Sequence, residues 1–368
     1  MRMMDFRRRL HKYPELSFEE RDTQQFIIEA LQSEGIPYRT IAGTGVLAII
    51  EGKRGNHERA VVLRADIDAL PIEELVDVEY RSKNKGVMHA CGHDMHAAVL
   101  FGVLQNLNHE RNFEGTLFGI FQPGEELNPG GASLVLKEEP FKGYSVAAVI
   151  GEHVDASLEV GEIGICPGRF MASNDELRFK VSGRGGHAAR RKEINDTVTA
   201  MADMVVRTTA LNSPNGVVSV GRIIADGATN VIPSVVTAEG TMRTFDNEER
   251  ERIYAHLHGN ARIVAEKYDV EVDVDINRGY PCVTNDVMLS YEAMIIAADE
   301  GITVRELQPL TTAEDFGYYT ERYPSLFYRL GVGRDSGGSH TATFCPNEAA
   351  LEVGERMMRR MALHILNK

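Results

Sequence analysis

The first part of the chain alternates short apolar runs with segments of helical periodicity. Residues 60–70 begin as a strand, and residues 116–121 and 145–150 are apolar runs of strand length. Residues 97–107 and 132–138 have the apolar spacing of helices. Near-continuous apolar strands separated by helices are typical of a mostly parallel sheet that helices cover on both faces. The pattern therefore predicts an α/β fold for this part.

From about Asp175 the pattern becomes that of a second domain. Six segments follow in the order strand, helix, strand, strand, helix, strand, which is the split βαβ order of a ferredoxin-like domain. After Pro281 the chain returns to a helix and then to the apolar strand SLFYRLGV. We therefore expect one α/β domain from residues 1–174 and 283–368, interrupted by an inserted α+β domain over residues 175–282.

Composition limits the class of protein. Hydrophobic residues make up 43% and charged residues 26%, as in ordinary soluble proteins. The net charge of −14 argues against nucleic acid as the main partner. No apolar run approaches the roughly 20 residues that span a bilayer, and the basic start lacks the apolar segment of a secretory signal. Four cysteines without a CxxC pair favour reduced thiols, so we expect a cytoplasmic protein.

Side chains that bind metals follow the apolar strands of the first domain. A further group, HACGHDMHAA at 89–98, lies just before a predicted helix. Because ligands of open α/β sheets bind beyond the carboxyl ends of the strands, we expect five segments to meet in one cleft. The residues concerned are Asp66, Asp68, Cys91, His93, Glu125, Glu126, Glu152, His153 and His340.

These residue types suit a metal site that hydrolyses an amide. Thiolate, imidazole and carboxylate ligands suit zinc and tolerate manganese, cobalt or nickel. Cys91 stands near a helix N-terminus, which is expected to lower the pKa of its thiol. Of two adjacent glutamates, one can bind metal while the other acts as general base for a metal-activated water. Each residue alone has an ordinary structural interpretation, such as helix capping or packing, and only their convergence favours the site.

Together these residues resemble the amidohydrolase branch of the aminoacylase/carboxypeptidase metallopeptidases, which includes hippurate hydrolases, auxin-conjugate hydrolases and N-acetyl-diaminopimelate deacetylases. The resemblance covers nearly the whole chain. It is carried by LHKYPELSFEE (10–20), LRADIDALPIEE (63–74), GVMHACGHDMHAA (86–98), FQPGEE (121–126), GEHV (151–154), GRGGHAA (183–189), ATNVIP (228–233), TAEDFG (312–317) and SHTATFCPNEAAL (339–351). It implies a metal-dependent amidohydrolase that cleaves small N-acyl amino acids with an N-acetyl or aromatic acyl group.

The resemblance also implies roles for residues of the first domain. It implies two divalent metal ions per subunit, either zinc, manganese, cobalt or nickel. The positions that match the metal ligands of the family are Cys91, His93, Glu126, His153 and His340. Glu125 matches the general base. Asp66 and Asp68 match groups beside the site that orient ligands, with a purely structural role equally open, and His89 and His96 are taken as supporting residues.

The inserted domain matches the lid of the family, which carries the dimer contact. A homodimer through this domain is implied, with a tetramer as the alternative. His187 matches a histidine that stabilises the oxyanion, often in the site of the partner subunit. Asn230 and Arg243 match positions that hold the substrate carboxylate or the reacting carbonyl. Where the family continues with Pro-His, this chain has Arg190-Arg191, which either favours an acidic substrate or belongs to the surface.

Three other readings remain open at this point. A metallo-dipeptidase would use the same machinery on a substrate with a free α-amine. A non-catalytic metal-binding relative would keep the fold, but it would be expected to lose Glu125, which is present. A thiol redox protein using Cys91 would need a resolving cysteine, and none is near in sequence.

Overall fold

The computed structural model describes residues 1–368, and the chain divides into two compact units. Unit 1 comprises Met1–Phe170, Thr284–Pro309 and Asp315–Lys368. Unit 2 comprises Met171–Val283 and Leu310–Glu314. The longest helix of the protein has 22 residues and is rich in charge, and no helix combines the length and apolarity needed to cross a membrane.

The regular elements are numbered along the chain. The helices are α1 (Met3–Lys12), α2 (Arg21–Ser33), α3 (His93–Glu110), α4 (Gly131–Lys137), α5 (Thr197–Thr209), α6 (Asn247–Tyr268), α7 (Val287–Asp299), α8 (Gly317–Thr320) and α9 (Ala350–Leu366). The strands are β1 (Tyr38–Ile41), β2 (Gly45–Glu51), β3 (Arg59–Asp66), β4 (Thr116–Gln122), β5 (Ser145–Asp155), β6 (Glu162–Ile165), β7 (Gly168–Met171), β8 (Asp175–Ser182), β9 (Gly186–His187), β10 (Gly216–Ile224), β11 (Val231–Ile232), β12 (Val235–Thr244), β13 (Glu271–Arg278), β14 (Val283–Asn285), β15 (Thr303–Glu306) and β16 (Ser325–Gly331).

An eight-stranded sheet forms the centre of unit 1, in the order β1-β2-β4-β3-β5-β16-β6-β15. The four central strands β4, β3, β5 and β16 run parallel to one another. The β1–β2, β2–β4 and β16–β6 pairs are antiparallel. Strands β4 and β16 are buried along their whole length, as expected for strands covered on both faces. The predicted α/β fold with a mostly parallel sheet is therefore confirmed.

Helix α3 occupies the core of unit 1, where it contacts β3 and β5 and lies beside α1 and α9. It begins directly after Gly92, whose φ of 90° places it in the left-handed region. Its middle, AAVLFGVL, contains many strong helix formers and is completely buried. The start of this buried helix is thus fixed at the histidine and cysteine motif.

Strand β5 is longer than the sequence pattern predicts. We expected it to end before Glu152 and His153, but it continues to Asp155. The extension exists because β5 pairs in parallel with β16, with His153 opposite Arg329. His153 therefore stands on a buried strand rather than on a loop, and its backbone is fixed by the sheet.

Unit 2 contains a separate antiparallel sheet in the order β10-β12-β8-β13, with helices α5 and α6 against it. Strand β8 alternates buried and exposed residues, so that one face of the sheet packs against the helices. Leu177 and Phe179 of β8 share this core with Met204 of α5 and Leu257 of α6. Unit 2 therefore has its own hydrophobic core.

A buried ion pair ties α6 to the start of β8. The Arg250 guanidinium donates to Asp175 through Nε at 2.9 Å and through an Nη at 2.5 Å, and it also donates to the Gly279 carbonyl. Both charged side chains are completely buried. The Tyr254 hydroxyl also accepts from Nε of Arg250, at 3.1 Å, and the Gly279 N–H donates to Asp175 at 3.1 Å.

Replacing Arg250 with alanine is expected to lower the free energy of unfolding of unit 2 by about 3–5 kcal/mol, because the carboxylate of Asp175 stays buried without its cation. Chemical denaturation followed by circular dichroism measures the change. Arg178→Ala, which removes an exposed arginine of β8 paired with Glu176, is the matched control and should have little effect. Equal effects of the two substitutions would contradict this account of the ion pair.

Candidate metal centre

The structure places the predicted site residues in both units. Eight belong to unit 1, namely Asp66, Asp68, Cys91, His93, Glu125, Glu126, His153 and His340. Three belong to unit 2, namely His187, Asn230 and Arg243. The eight of unit 1 come from five separate segments: the end of β3, the start of α3, the loop after β4, strand β5 and the loop after β16.

Gly92 sets the geometry of the Cys91–His93 pair. Its φ of 90° turns the backbone between the two side chains. A Cβ at this position would lie 2.5 Å from the Val154 side chain and 3.3 Å from the Phe344 ring. Because neither the dihedral angle nor the space suits another residue, glycine is required at this turn.

The thiol of Cys91 is the meeting point of the cluster. Its Sγ lies 3.2 Å from Nε2 of His153 and 3.2 Å from Nε2 of His340. Nε2 of His340 also lies 3.2 Å from a carboxylate oxygen of Glu126, and Nε2 of His93 lies 3.9 Å from the same oxygen. All five predicted ligands are thus gathered around one point.

These donors form two overlapping groups that share Cys91. In one group Cys91 stands with His93 and His153, and in the other it stands with Glu126 and His340. Within each group all donor atoms lie within 4.8 Å of one another. Two donor groups with one common thiol match the requirements of two neighbouring cations.

Two of the histidines hydrogen-bond through Nδ1 and turn Nε2 toward the cluster. Nδ1 of His93 is 3.0 Å from the Asp68 carbonyl and 3.1 Å from its carboxylate, and Nδ1 of His153 is 2.7 Å from the Val154 carbonyl. Tying down Nδ1 in this way directs Nε2 toward the centre, as in protein metal sites. Nε2 of His93 is buried and has no hydrogen-bond partner. The residues therefore fit a metal site.

Asp68 connects three segments around the site. Besides holding His93, its carboxylate accepts hydrogen bonds from the Ser17 hydroxyl at 2.7 Å and from the backbone N–H of Glu126 at 3.0 Å. One buried carboxylate therefore fixes the orientation of one candidate ligand and the backbone of another.

Asp66 begins a second buried chain of hydrogen bonds. One of its oxygens accepts from Arg64 at 2.6 Å, and the other is 2.6 Å from Nδ1 of His96. The backbone N–H of Val154 then donates to Nε2 of His96 at 2.9 Å. The chain thus extends from β3 to the backbone of β5 directly after His153.

The expected low pKa of Cys91 is wrong for the protein alone. Burial raises the pKa of the Cys91 thiol to about 12, although the neighbouring His93 opposes the shift. Cys91 precedes the first residue of α3 and is 7% exposed, so loss of hydration outweighs the helix dipole. A bound cation would supply the positive charge that a thiolate needs at this position.

His93 and Asp66 have opposite pKa shifts. Burial disfavours the charged form of both side chains. Nevertheless, the Asp66 carboxylate raises the pKa of His93 well above its usual value, and the charges of His93 and Arg64 hold the pKa of Asp66 well below its usual value. The cluster is therefore an electrostatically coupled unit.

Glu125 lies directly beside the donor groups. It follows Gly124, whose φ is 60° and whose Cβ would collide with the Phe18 ring. Glu125 is only 7% exposed, and its carboxylate is within 4.8 Å of donor atoms of His93 and Glu126. The two adjacent glutamates thus bring two carboxylates to the same place.

Sequence reasoning missed two sets of supporting residues. Arg64 is completely buried and binds both Asp66 and Asp315, the latter at 2.7 Å. The signal was a charged residue inside the otherwise apolar run AVVLRA. In addition, Arg7 and His11 of α1 both reach one oxygen of Asp94, at 2.7 and 2.9 Å, and so anchor the first turn of α3.

His89 is also buried, but neither of its ring nitrogens has a hydrogen-bond partner. Burial lowers the pKa of His89 to about 4, so the ring is neutral at physiological pH. His89 therefore belongs to the packing around the site.

The three candidates of unit 2 lie in different surroundings. His187 is exposed on β9, opposite Val231 of β11, and its Nδ1 accepts a hydrogen bond from the Ala189 N–H at 3.2 Å. Asn230 is exposed, and its carbonyl accepts from the Ala188 N–H. Arg243 is half-buried on β12, and burial lowers the pKa of its guanidinium.

The sequence profile of Peptidase family M20/M25/M40 matches residues 62–364. The chain therefore belongs to this family.

Two relatives of known name match nearly the whole chain. The N-acetyldiaminopimelate deacetylase of Anoxybacillus flavithermus (strain DSM 21510 / WK1) is 34% identical over 97% of this chain and 96% of its own length. The N-acetyl-L-cysteine deacetylase of Bacillus subtilis (strain 168) is 35% identical over 99% of this chain and 88% of its own length. Among solved structures, the Bacillus subtilis YXEP protein, described as a dinuclear metal-binding peptidase of the M20 family, is 33% identical over 99% of this chain and 97% of that one, with a TM-score of 0.88.

The hydrogen bonds of His96 predict a single neutral tautomer. Because the Val154 N–H donates to Nε2, the ring proton must be on Nδ1, facing Asp66. Burial lowers the pKa of His96, so the ring should take up its second proton at a lower pH than an ordinary histidine, whose pKa is about 6.5. Ring ¹⁵N chemical shifts measure the tautomer and the titration. Two tautomers in exchange, or a pKa at or above the ordinary histidine value, would show that the chain from Asp66 to Val154 is not formed.

Proposed function

We propose that the protein is a metal-dependent amidohydrolase that releases a free amino acid and a carboxylic acid from small N-acyl amino acids. The observation that carries this proposal is the Cys91 thiol shared by two donor groups, with the Glu125 carboxylate beside them. The names of the relatives favour acetyl as the acyl group. Four free cysteines are consistent with a reducing, cytoplasmic location, which is part of the proposal.

Five residues would hold two divalent ions, which are zinc, manganese, cobalt or nickel. They are Cys91, His93, Glu126, His153 and His340. Asp66 is assigned a supporting role because its two oxygens are already engaged by Arg64 and His96. Asp68 is assigned the same role because it orients His93 and the backbone of Glu126. The description of the YXEP protein as dinuclear supports the number of ions.

Glu125 would act as the general base. When bound, the metal pair supplies Lewis-acid activation of the scissile carbonyl and of the attacking water. Glu125 would take one proton from the water as its oxygen bonds to the carbonyl carbon. The same carboxyl group would then give that proton to the amide nitrogen as the C–N bond breaks. The products are a carboxylic acid and an amino acid with a free amine.

Unit 2 would be the ferredoxin-like lid, over about residues 175–282. The strand order β10-β12-β8-β13 with α5 and α6 supports this topology. His187 would stabilise the oxyanion, since the Ala189 N–H occupies Nδ1 and leaves the Nε2 proton of the neutral ring available to donate. Asn230 and Arg243 would hold the substrate carboxylate or the reacting carbonyl.

The lid would also form a homodimer, with a tetramer as the alternative. Strand β10 lies at the edge of its sheet, and Ile223 and Ile224 on it are 53% and 42% exposed. Proteins rarely leave apolar side chains on an open sheet edge, because such an edge pairs with other chains. A second copy of this chain would cover the edge.

A hydrolysis screen tests the proposal as a whole. The protein is incubated with each of the four metals and with N-acetyl and N-benzoyl amino acids, and dipeptides are included in parallel. Release of free amino acid from acylated substrates, blocked by a chelator, would support the proposal. Cleavage of dipeptides alone would reassign the protein as a dipeptidase, and stoichiometric metal without any turnover would favour a non-catalytic relative.

Replacing Glu125 with glutamine is expected to reduce kcat by at least about 100-fold, because an amide cannot accept the proton of water. The metal content should be unchanged, since Glu125 is not among the assigned ligands. Steady-state kinetics and elemental analysis of the same preparation measure both quantities. Glu138→Gln is the control. Glu138 is not among the predicted site residues, its carboxylate accepts a hydrogen bond from the Ala42 N–H, and its replacement should leave kcat and metal content unchanged. Retained activity in the Glu125 variant would remove the assigned base.

Mixed dimers test whether His187 acts in the site of the partner subunit. His187→Ala and Glu125→Gln are each expected to be nearly inactive, with metal retained in both. Subunit exchange between them should restore activity, because a mixed dimer contains one site with both residues intact. Recovery of up to about a quarter of the wild-type rate per subunit is expected for random mixing. No recovery in mixtures shown to contain mixed dimers would place His187 in its own subunit's site or outside catalysis.

A further inference from the structure

The loop that contains His187 is strongly basic. Residues 184–192 include Arg184, Arg190, Arg191 and Lys192 but no acidic residue. The whole chain, in contrast, has 54 acidic and 40 basic residues. A local excess of cations on an acidic protein attracts anions to this loop.

Two adjacent arginines of this loop have different surroundings. Arg190 forms an ion pair with Glu193 at 3.5 Å, so its charge is partly compensated. Arg191 is exposed and forms no ion pair or side-chain hydrogen bond with any part of the chain. Its guanidinium is therefore available to a ligand.

Arg191 also lines a cavity of about 330 Å³ within unit 2, and Arg190 does not. The other lining residues are Ala188, Ile194, Asp196 and Ile232. The volume is at the lower end of the range for small-molecule sites. Three apolar residues and one arginine suit a short aliphatic chain that ends in a carboxylate.

The wall of this cavity is fixed to His187. Ile232 pairs with Gly186 and Val231 pairs with His187 in the two-stranded β9–β11 sheet. Ala188 follows His187 directly, and its N–H is bonded to the Asn230 carbonyl at 2.9 Å. The cavity wall and His187 therefore belong to the same two-stranded sheet.

We infer that Arg191 selects N-acyl amino acids whose side chain carries a second carboxylate. This inference rests on the proposed function, since it requires His187 to act on the acyl carbonyl. The aliphatic part of the side chain packs against Ile194 and Ile232, and the terminal carboxylate pairs with the guanidinium. Arg191 is thus a residue that determines substrate specificity and takes no part in bond cleavage.

Asp196 does not cancel this preference. Its carboxylate accepts a hydrogen bond from the Thr199 N–H at 3.1 Å and caps α5, so it is engaged with the helix N-terminus. It forms no ion pair with Arg191. A side chain that ends in both an amine and a carboxylate would place its amine nearest Asp196.

The test compares substrates that differ only in charge. N-acetyl-L-glutamate is compared with its neutral isostere N-acetyl-L-glutamine, and N-acetyl-diaminopimelate is included as the side chain with an added amine. We expect the wild-type kcat/KM to be about tenfold higher for N-acetyl-L-glutamate than for N-acetyl-L-glutamine. One exposed charge-assisted hydrogen bond gives a difference of about this size. The difference should lie mainly in KM, because a group remote from the reacting bond contributes equally to substrate and transition-state binding.

Arg191→Gln should abolish the preference, because kcat/KM on N-acetyl-L-glutamate should fall toward the value on N-acetyl-L-glutamine. Arg190→Gln removes the same charge from the adjacent position outside the cavity and should keep the preference. Arg191→Glu should favour N-acetyl-L-lysine over N-acetyl-L-glutamate. An unchanged preference in Arg191→Gln, or an equal loss in Arg190→Gln, would overturn the inference while the proposed function stands.

No hydrolysis of any acylated substrate by the wild type would instead refute the proposed function, and the inference would fall with it. A loss of activity on charged and neutral substrates alike in Arg191→Gln would show a structural or catalytic role rather than selection.

Asp196→Asn, which can still cap α5, should lower only the rate on N-acetyl-diaminopimelate. If N-acetyl-L-glutamate is affected equally, the cavity does not distinguish the two ends of the side chain, and the assignment of the carboxylate to Arg191 is wrong.

Discussion

The structure of the candidate metal centre depends on the burial of the Cys91 thiol at a point where imidazoles and carboxylates converge. Such groups are costly to remove from water unless they are paired, and Nε2 of His93 is buried without a hydrogen-bond partner. The same burial raises the pKa of Cys91 to about 12, so the thiolate required of a ligand needs a nearby cation. The arrangement therefore has a free-energy cost in the protein alone, and we infer that bound metal offsets it.

The surrounding fold holds this costly arrangement in place. The parallel strands β3 and β5 and the buried helix α3 fix the backbone on three sides, and two carboxylates complete the support. Asp68 joins His93 to the backbone of Glu126, while Asp66 connects Arg64 to His96. Because the side chains of Arg64, Asp66, Asp68, His93 and His96 are buried, each can move only if its partners move too. The geometry of the candidate ligands is thus a property of unit 1 as a whole.

Much of this architecture could be predicted from the sequence, since apolar strand runs and helical periodicity are local signals. They indicated the parallel sheet and showed that polar residues follow its strands. The end of β5 could not be predicted, because it depends on pairing with β16, more than 170 positions along the chain. The pKa of Cys91 was predicted with the wrong sign, because burial cannot be read from neighbouring residues. The roles of the gathered residues, including His187 and Arg191 of unit 2, stay predictions until they are measured.

The most direct test of the central claim is anomalous X-ray diffraction from crystals grown with Zn²⁺ or Mn²⁺. The account predicts two anomalous peaks in each subunit, both at the Cys91 cluster, with His93, His153, Glu126 and His340 as the remaining protein ligands. Cys91→Ala crystals should lose at least one of the two peaks. The absence of both peaks in the wild type, or a metal bound away from Cys91, would contradict the claim that this cluster is a metal centre.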